Sequence, residues 1–232
     1  MNRSSPTACR LPPVSAGSAA WRGGTVKGMV ALGLLLFGLI ARAEPSGNFF
    51  QSDSRLPADL QRVLILPLTA QAARADLESG CESLAQVLQA ELAKTRRFEV
   101  VHATAETLRS RTGRSAWSAA DALPAKFFSA LREAYGCDAV LFCEVTAFKA
   151  YAPLSVGWRL RLVDARSQQT LWASDEVFDA SHGDIQHGAR RYERQEARAT
   201  SERPSSDWLV LNSPRRFGQF TLATLLATLP RR

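Results

Sequence analysis

Three carboxylates near the end of a predicted strand are the residues of this sequence best suited to acid–base chemistry. Asp175, Glu176 and Asp179 lie close together along the chain. Two acids can act as general acid and general base when burial separates their pKa values. The surrounding sequence gives no sign of such burial, and charges at a sheet edge also prevent unwanted strand pairing. We therefore favour the protective role and keep a hydrolase that uses these carboxylates as an alternative.

Two arginines precede the carboxylates in a stretch that is typical of two strands joined by a polar turn. The stretch is WRLRLVDARSQQTLWASDE and begins at Trp158. Because successive side chains in a strand point to opposite faces, Arg159 and Arg161 share one face and Trp158 lies on the other. That separation argues against a nucleic-acid site built from stacked aromatic and basic side chains. The predicted partner surface consists of Arg159, Arg161, Asp175 and Glu176.

The other reactive residue types do not form a recognisable metal or cofactor site. His182 and His187 are five residues apart, which does not place two imidazoles on the same side of a helix. The sequence also lacks a phosphate-binding glycine run and the G-x-S-x-G nucleophile motif. We therefore expect no metal, no cofactor and no enzymatic activity.

Residues 1–43 have the layout of a secretory signal peptide with a long basic region. Arg22 and Lys27 precede the apolar run MVALGLLLFGLI, and the small-x-small sequence ARA follows, ending at Ala43. This run is shorter than the roughly 20 residues that span a bilayer. The segment contains five basic residues and no acid, so its removal lowers the net charge of the chain from +7 to +2. We expect cleavage and export; translation from Met29 and an uncleaved anchor are the alternatives.

Export would place three cysteines of the mature chain in an oxidising compartment. Cys137 and Cys143 are six residues apart along a predicted strand, too far for a disulfide, whose Cα atoms are at most about 7 Å apart. Only Cys81 can therefore pair with Cys137 or with Cys143. The alternative is that all three are small buried apolar side chains.

The first half of the folded region predicts a βαβ unit. RVLILPL, from Arg62, carries apolar side chains on both faces, as buried parallel strands do. Ser79 and Glu82 have the spacing of a capping box, which predicts the start of a helix. RFEVVH, ending at His102, is the second strand, and such a crossover is expected to be right-handed with parallel strands.

The second half predicts an antiparallel meander of three strands. The strand-like run CDAVLFCEVTAF, the alternation of apolar and polar residues from Val156 to Leu162 and the polar turn DARSQQ place these strands at residues 138–148, 154–164 and 169–179. Trp158 and Trp172 are expected in or beside the core, because large aromatic side chains contribute much of the burial energy.

Two helical segments are predicted after the meander. Residues 181–207 are rich in charge and predict a solvent-exposed helix with a narrow apolar side. Ser213 as N-cap and Pro214 at the first helical position then begin an apolar C-terminal helix that covers one face of the sheet.

These elements predict an α+β fold with an α/β start: a βαβ unit followed by the meander, in a mixed sheet of about five strands with helices packed on it. We assign residues 61–230 to a single αβ domain and residues 44–60 to a linker that joins it to the signal peptide.

The order of these motifs resembles the superfamily of the curli secretion channel subunit and the lipoprotein activators of penicillin-binding proteins. The resemblance covers residues 60–180. Its most specific parts are a helix that ends at Gly136 before a strand, similar to the family's lGAd segment, and residues 162–165, similar to lvDa.tG. Ser167 or Gln168 stands where the family usually has glycine, and the lipid-attachment cysteine is missing.

The resemblance implies a periplasmic, non-enzymatic αβ domain that docks on proteins of the cell envelope. Our leading hypothesis is accordingly an interaction or assembly module with envelope proteins as partners and no nucleic acid. A second copy of the chain and peripheral association with the outer membrane are kept as further contacts. The alternative from the same family is a subunit of an outer-membrane secretion channel.

Overall fold

The computed structural model describes residues 48–199 and 209–232, which contain seven strands and six helices. The predicted signal peptide and the end of the charged segment lie outside these residues. In chain order the elements are β1 (Phe49–Gln51), β2 (Arg62–Ile65), β3 (Thr69–Ala70), α1 (Ala75–Thr95), β4 (Glu99–His102), α2 (Ala105–Thr112), α3 (Phe127–Tyr135), β5 (Ala139–Lys149), β6 (Ser155–Asp164), β7 (Thr170–Asp179), α4 (Gly183–Ala199), α5 (Leu209–Asn212) and α6 (Pro214–Ala227).

The strands form one mixed sheet in the order β1-β7-β6-β5-β2-β4, with β3 beside β5. The predicted α+β class is confirmed, and the two short strands β1 and β3 account for the difference from the expected five. Strand β2 lies parallel to both β4 and β5. This central position explains its apolar sequence, since Val63, Leu64 and Ile65 are all buried.

The sheet separates two apolar cores, because alternate residues of its strands belong to different clusters of buried side chains. The larger cluster, which we call the inner core, includes side chains of α1, α4, α5 and α6 together with one face of the sheet. The smaller cluster consists of side chains of α2 and α3 packed on the other face of β2, β5 and the end of β6.

The predicted start of α1 at Ser79 is wrong, because the helix begins one turn earlier at Ala75. Leu77 is buried and extends the apolar side of the helix back beyond Ser79. Asp76 and Glu78 lie in the first turn, where acidic side chains interact favourably with the helix dipole. The S-x-x-E spacing therefore falls inside the helix.

The three strands of the meander are confirmed, with boundaries within one residue of the prediction. Trp158 and Trp172 are completely buried in the inner core. Their indole Nε1 atoms donate hydrogen bonds to the hydroxyl oxygens of Thr221 (2.9 Å) and Thr228 (3.0 Å). These two contacts attach the C-terminal part of the chain to the sheet.

The helices after the meander pack on the inner core. Helix α6 begins as predicted, with Pro214 in the first turn and the Ser213 hydroxyl accepting a hydrogen bond from the amide of Arg216. The described part of the charged segment is helix α4, whose apolar side contains the buried Ala189. The ring of Tyr192 lies against Phe220 of α6.

Part of the segment predicted as a linker belongs to the sheet. Strand β1 pairs antiparallel with β7, and Leu56 and Leu60 are buried in the inner core. The sequence between these apolar residues is rich in turn-forming residues, and the segment was therefore predicted as a linker. Among the described helices, none is both long and apolar enough to cross a membrane.

Candidate functional site

The helices of the described residues leave one part of the sheet uncovered on the α2–α3 side. We call this part the outer face; it consists of the outward side chains of β6 and β7, namely Arg159, Arg161, Ala173, Asp175 and Val177. The register of the two strands sets Arg161 opposite Ala173 and Arg159 opposite Asp175. On β6 the alternate side chains, Trp158, Leu160 and Leu162, belong to the inner core.

Arg159 is the centre of an ion-pair network that crosses three strands. Its Nε donates to Asp175 Oδ2 (2.7 Å), and its Nη1 donates to Glu144 Oε2 on β5 (3.1 Å). The hydrogen bond to Asp175 and the charges of both carboxylates raise the pKa of the guanidinium. Because Glu144 is only 6% exposed, it depends on Arg159 to balance a charge that is costly to bury.

Sequence reasoning missed Glu144 as part of this site. A charged residue in the middle of the mainly apolar strand β5 was the available signal. Its partner is identified only by the register of β5 and β6, which sets Glu144 opposite Arg159.

Arg161 connects the sheet to the loop between α2 and α3. Its Nε donates to Thr170 Oγ1 (2.9 Å), and its Nη1 donates to the carbonyl oxygen of Ala119 in that loop (3.2 Å). Both arginines of the predicted partner surface are therefore held by contacts within the chain, and they form the fixed floor of the site.

A groove of about 450 Å³ lies over this floor. Ala119 and Ala120 of the loop form one side, and Phe49 and Phe50 of β1 form the other. Phe50 is 53% exposed. The lining residues are Asn48, Phe49, Phe50, Ala119, Ala120, Arg159, Leu160, Arg161, Ala173, Ser174 and Asp175. The groove thus combines a charged floor, in which Arg159 and Asp175 neutralise each other, with apolar walls.

Glu176 does not lie with the other predicted surface residues. It is set opposite Trp158 and therefore projects from the other side of β7. Its Oε2 accepts a hydrogen bond from the amide of Asn48 (2.9 Å). The structure brings Arg159, Arg161 and Asp175 together and separates Glu176 from them.

The carboxylates of the hydrolase alternative do not converge. Asp175 and Asp179 are separated by about 13 Å of extended strand, and Glu176 lies between them on the opposite face. The carboxylate of Asp179 accepts hydrogen bonds from Ser181, which hold its pKa below the ordinary value. Each acid is thus engaged in a separate local contact, and no pair shares a proton or a substrate position.

The three cysteines of the described residues are free thiols. Cys143 lies in the inner core, and Cys81 packs against the same core. Cys137 lies in the cluster on the other face of the sheet. Burial raises the pKa of Cys81 and of Cys137 to about 11, so both thiols are protonated near neutral pH. Of the two possible pairings, only Cys81 with Cys143 would stay on one face of the sheet.

The described residues contain no group of three or more His, Cys, Asp or Glu side chains that could hold a metal ion.

A second groove, of about 390 Å³, lies between α1 and the ends of β2 and β4. It contains Cys81 and His102 among apolar side chains, and burial lowers the pKa of His102.

No family model and no curated protein matches this sequence. Solved structures that this chain matches include lipoprotein GNA1162 from Neisseria meningitidis, with 21% identity over 60% of this chain and 99% of that chain, at a TM-score of 0.42. The PelC dodecamer from Paraburkholderia phytofirmans matches with 15% identity over 80% of this chain and 99% of that chain, at a TM-score of 0.42. The LpoB C-terminal domain from Escherichia coli matches with 14% identity over 51% of this chain and 82% of that chain, at a TM-score of 0.33.

Proposed function

We propose that this chain is an exported protein of the bacterial cell envelope that acts without catalysis, by docking on another protein through the outer face of its meander. The observation that carries the proposal is the groove beside Phe50. It lies where none of the described helices covers the sheet, and contacts within the chain already hold the side chains of its floor.

The composition of this groove is that of a protein interface. Interfaces are enriched in aromatic residues and arginine and combine an apolar centre with polar groups at the rim. Phe50 supplies an exposed aromatic ring, and Arg159 and Arg161 are fixed before any partner arrives. Fixed side chains lose little conformational entropy on binding, which favours affinity.

The export half of the proposal is supported by the leader. Its basic region, apolar run and ARA sequence are arranged as in a secretory signal. The resemblance of residues 60–180 to envelope activator and secretion proteins agrees with that location.

Site-specific photo-crosslinking tests the docking surface. A photoreactive phenylalanine analogue replaces Phe50 in the groove, and the same analogue replaces Tyr151 in a matched control. Tyr151 is 82% exposed and lies between β5 and β6, outside the groove lining. In intact envelopes we expect one discrete heavier product with the analogue at Phe50 and none at Tyr151, because only the groove holds a partner.

The partner in that product is then identified by mass spectrometry, and Phe50→Ser in the unlabelled protein is expected to reduce its recovery. Equal crosslinking from both positions would mean non-specific contact, and no product at Phe50 would remove the groove as the docking surface.

A further inference from the structure

The connections that leave β2 and β4 pass to opposite faces of the sheet. These two strands are parallel neighbours. The chain after β2 leads to α1, which packs on the inner core, whereas the chain after β4 leads to α2, which packs on the other face. Adjacent parallel strands whose connections diverge in this way leave a crevice at their carboxyl ends, and open α/β sheets bind ligands in that crevice.

The second groove described above occupies this crevice, and we call it the switch-point groove. Leu66, Pro67 and Leu68, which follow β2, and Ala103 and Ala105, which follow β4, form part of its lining. Its volume of about 390 Å³ falls within the range of roughly 300–1,000 Å³ that small-molecule sites have. Strands β4 and β1 lie at opposite edges of the sheet, so this groove is separate from the outer face.

The body of the switch-point groove is apolar. Cys81, Ala85 and Leu88 of α1 form its other side, and their spacing of four and three residues places them on one face of the helix. Leu88 is buried, and Cys81 and Ala85 are half-buried. A mainly apolar lining with a few polar groups is the usual composition of a small-molecule site. The groove therefore suits the carbon skeleton of a small ligand.

The polar side chains that line the groove are Glu82, Gln89 and His102. Burial lowers the pKa of His102, so its imidazole is uncharged at neutral pH. Neither Lys nor Arg is among the described residues of the lining. The side-chain charge of the groove is therefore of one sign, the negative charge of Glu82, and such a cleft attracts ligands of the opposite sign.

The carboxylate of Glu82 makes no ion pair within the described part of the chain. Two other acids of α1, Asp76 and Glu91, each pair with a neighbouring basic side chain. Glu82 instead has Glu78 one turn before it on the same helix. Like charges four residues apart on a helix repel each other. A bound cation would relieve this repulsion.

The thiol of Cys81 responds to the same negative charges. Burial raises the pKa of Cys81 to about 11, and the charges of Glu144, Glu78 and Glu82 contribute to the rise. The negative potential therefore extends from the helix surface to the apolar side of the groove.

The N-terminus of α2, at Ala105, has the opposite sign, because it is the positive end of a helix dipole. The Thr104 hydroxyl accepts a hydrogen bond from the amide of Thr107 (3.1 Å), and Glu106 lies in the first turn. These groups offset the dipole, so the N-terminus of α2 does not turn the groove into an anion site.

We propose that the switch-point groove binds a small apolar amine, a molecule with an aliphatic or aromatic body and one ammonium group. The body fills the space between α1 and the chain that follows β2, and the ammonium group lies beside the carboxylate of Glu82. This site is additional to the groove beside Phe50 and does not depend on the docking function.

Titration of the mature chain with three matched probes, followed by its amide NMR signals, tests the proposal. Hexylamine, hexanol and hexanoate have carbon chains of equal length and are positive, neutral and negative at neutral pH. We expect hexylamine to shift the signals of Leu68, Cys81 and Ala103. It should bind about threefold more tightly than hexanol and about tenfold more tightly than hexanoate, as an exposed ion pair and the matching repulsion predict.

A substitution at Glu82 tests the charge of the site. Glu82→Gln keeps the size and the helix propensity of the side chain. Hexylamine should then bind only as tightly as hexanol, whose affinity stays unchanged. The matched control is Glu133→Gln, at an exposed carboxylate on α3 on the other face of the sheet, and it should preserve the order of the three probes.

A substitution at Ala85 tests the space itself. Ala85→Leu adds carbon atoms that occupy the groove, so every probe should bind about tenfold more weakly or not at all. Ala90→Leu makes the same change at an exposed position of α1 and should leave binding unaltered. Circular dichroism verifies that the variants are folded. If Ala85→Leu unfolds, the probe series and Glu82→Gln decide.

Shifts spread over the whole surface, or no shift at the groove with any probe, would overturn the site. Equal affinities for the three probes, or tightest binding of hexanoate, would overturn the assignment of an amine. The crosslinking at Phe50 concerns the opposite side of the sheet, so its failure leaves this proposal standing, and a failed titration leaves the docking function standing.

Discussion

At the scale of single residues, the turn between β6 and β7 holds Gln168 in left-handed backbone, with φ of 60°. Asp164 supports this turn, since its Oδ1 accepts from the amides of Arg166 (2.8 Å) and Ser167 (2.6 Å). Left-handed backbone costs a residue other than glycine roughly 1–2 kcal/mol. We expect Gln168→Gly to raise the free energy of unfolding by about 0.5–1 kcal/mol, after the entropy cost of glycine is subtracted. Urea denaturation measures this change.

The neighbouring glutamine provides the control for that experiment. Gln169 is also exposed but does not have a positive φ. Gln169→Gly gains no relief of strain and should lower stability by about 0.5–1 kcal/mol. Equal effects of the two substitutions would show that the left-handed backbone of Gln168 carries no strain worth relieving.

At the scale of elements, the buried hydrogen bond between Trp158 and Thr221 fastens α6 to the sheet. Thr221→Val keeps the shape of the side chain and removes the acceptor, so the indole N–H of Trp158 would be left buried without a partner. Such a group costs about 1–3 kcal/mol. We expect the free energy of unfolding to fall by that amount, as measured by chemical denaturation.

Thr224 lies on the same helix and distinguishes this contact from a general effect of valine in a helix. Its hydroxyl donates to the Phe220 carbonyl one turn earlier (2.8 Å). Because this bond stays within the helix, Thr224→Val should change stability by less than about 0.5 kcal/mol. If Thr221→Val proved as mild as Thr224→Val, the Trp158 contact would not fasten the helix.

The elements predicted most accurately are the strands of the meander, whose local residue pattern is enough to identify them. A long apolar run located β5, the turn residues after β6 located β7, and alternation along β6 placed Arg159 and Arg161 on one face. The start of α1 was predicted wrongly because the S-x-x-E spacing of a capping box can also occur inside a helix, as it does at Ser79 and Glu82.

The contacts of the candidate site were less accessible, because they join segments distant in the sequence. Glu144 and the Ala119 carbonyl reach the two arginines only through strand register and loop position. The residue pattern of a single strand gives neither the register nor the position of the loop. Strand β1 was missed for a related reason. Three residues are too few for a period to emerge, and β1 is defined by its pairing with β7.

At the scale of the whole molecule, the distribution of charge separates the leader from the folded part. Five basic residues and no acid lie in residues 1–43, so the mature chain would carry a net charge of only +2. A nearly balanced chain has little non-specific attraction for nucleic acid or anionic lipid. The proposed docking function therefore relies on a local feature, the groove beside Phe50.

The same leader yields a prediction about processing. We expect the precursor to be cut after Ala43, so that N-terminal sequencing of the periplasmic protein begins at Glu44. Small residues are required at the first and third positions before the cut, so Ala41→Leu combined with Ala43→Leu should leave the precursor uncut. Arg42→Leu lies between these positions and should still be processed, which makes it the matched control. Translation from Met29 would give the same mature N-terminus, whereas an uncut chain in the cytoplasmic fraction would contradict export.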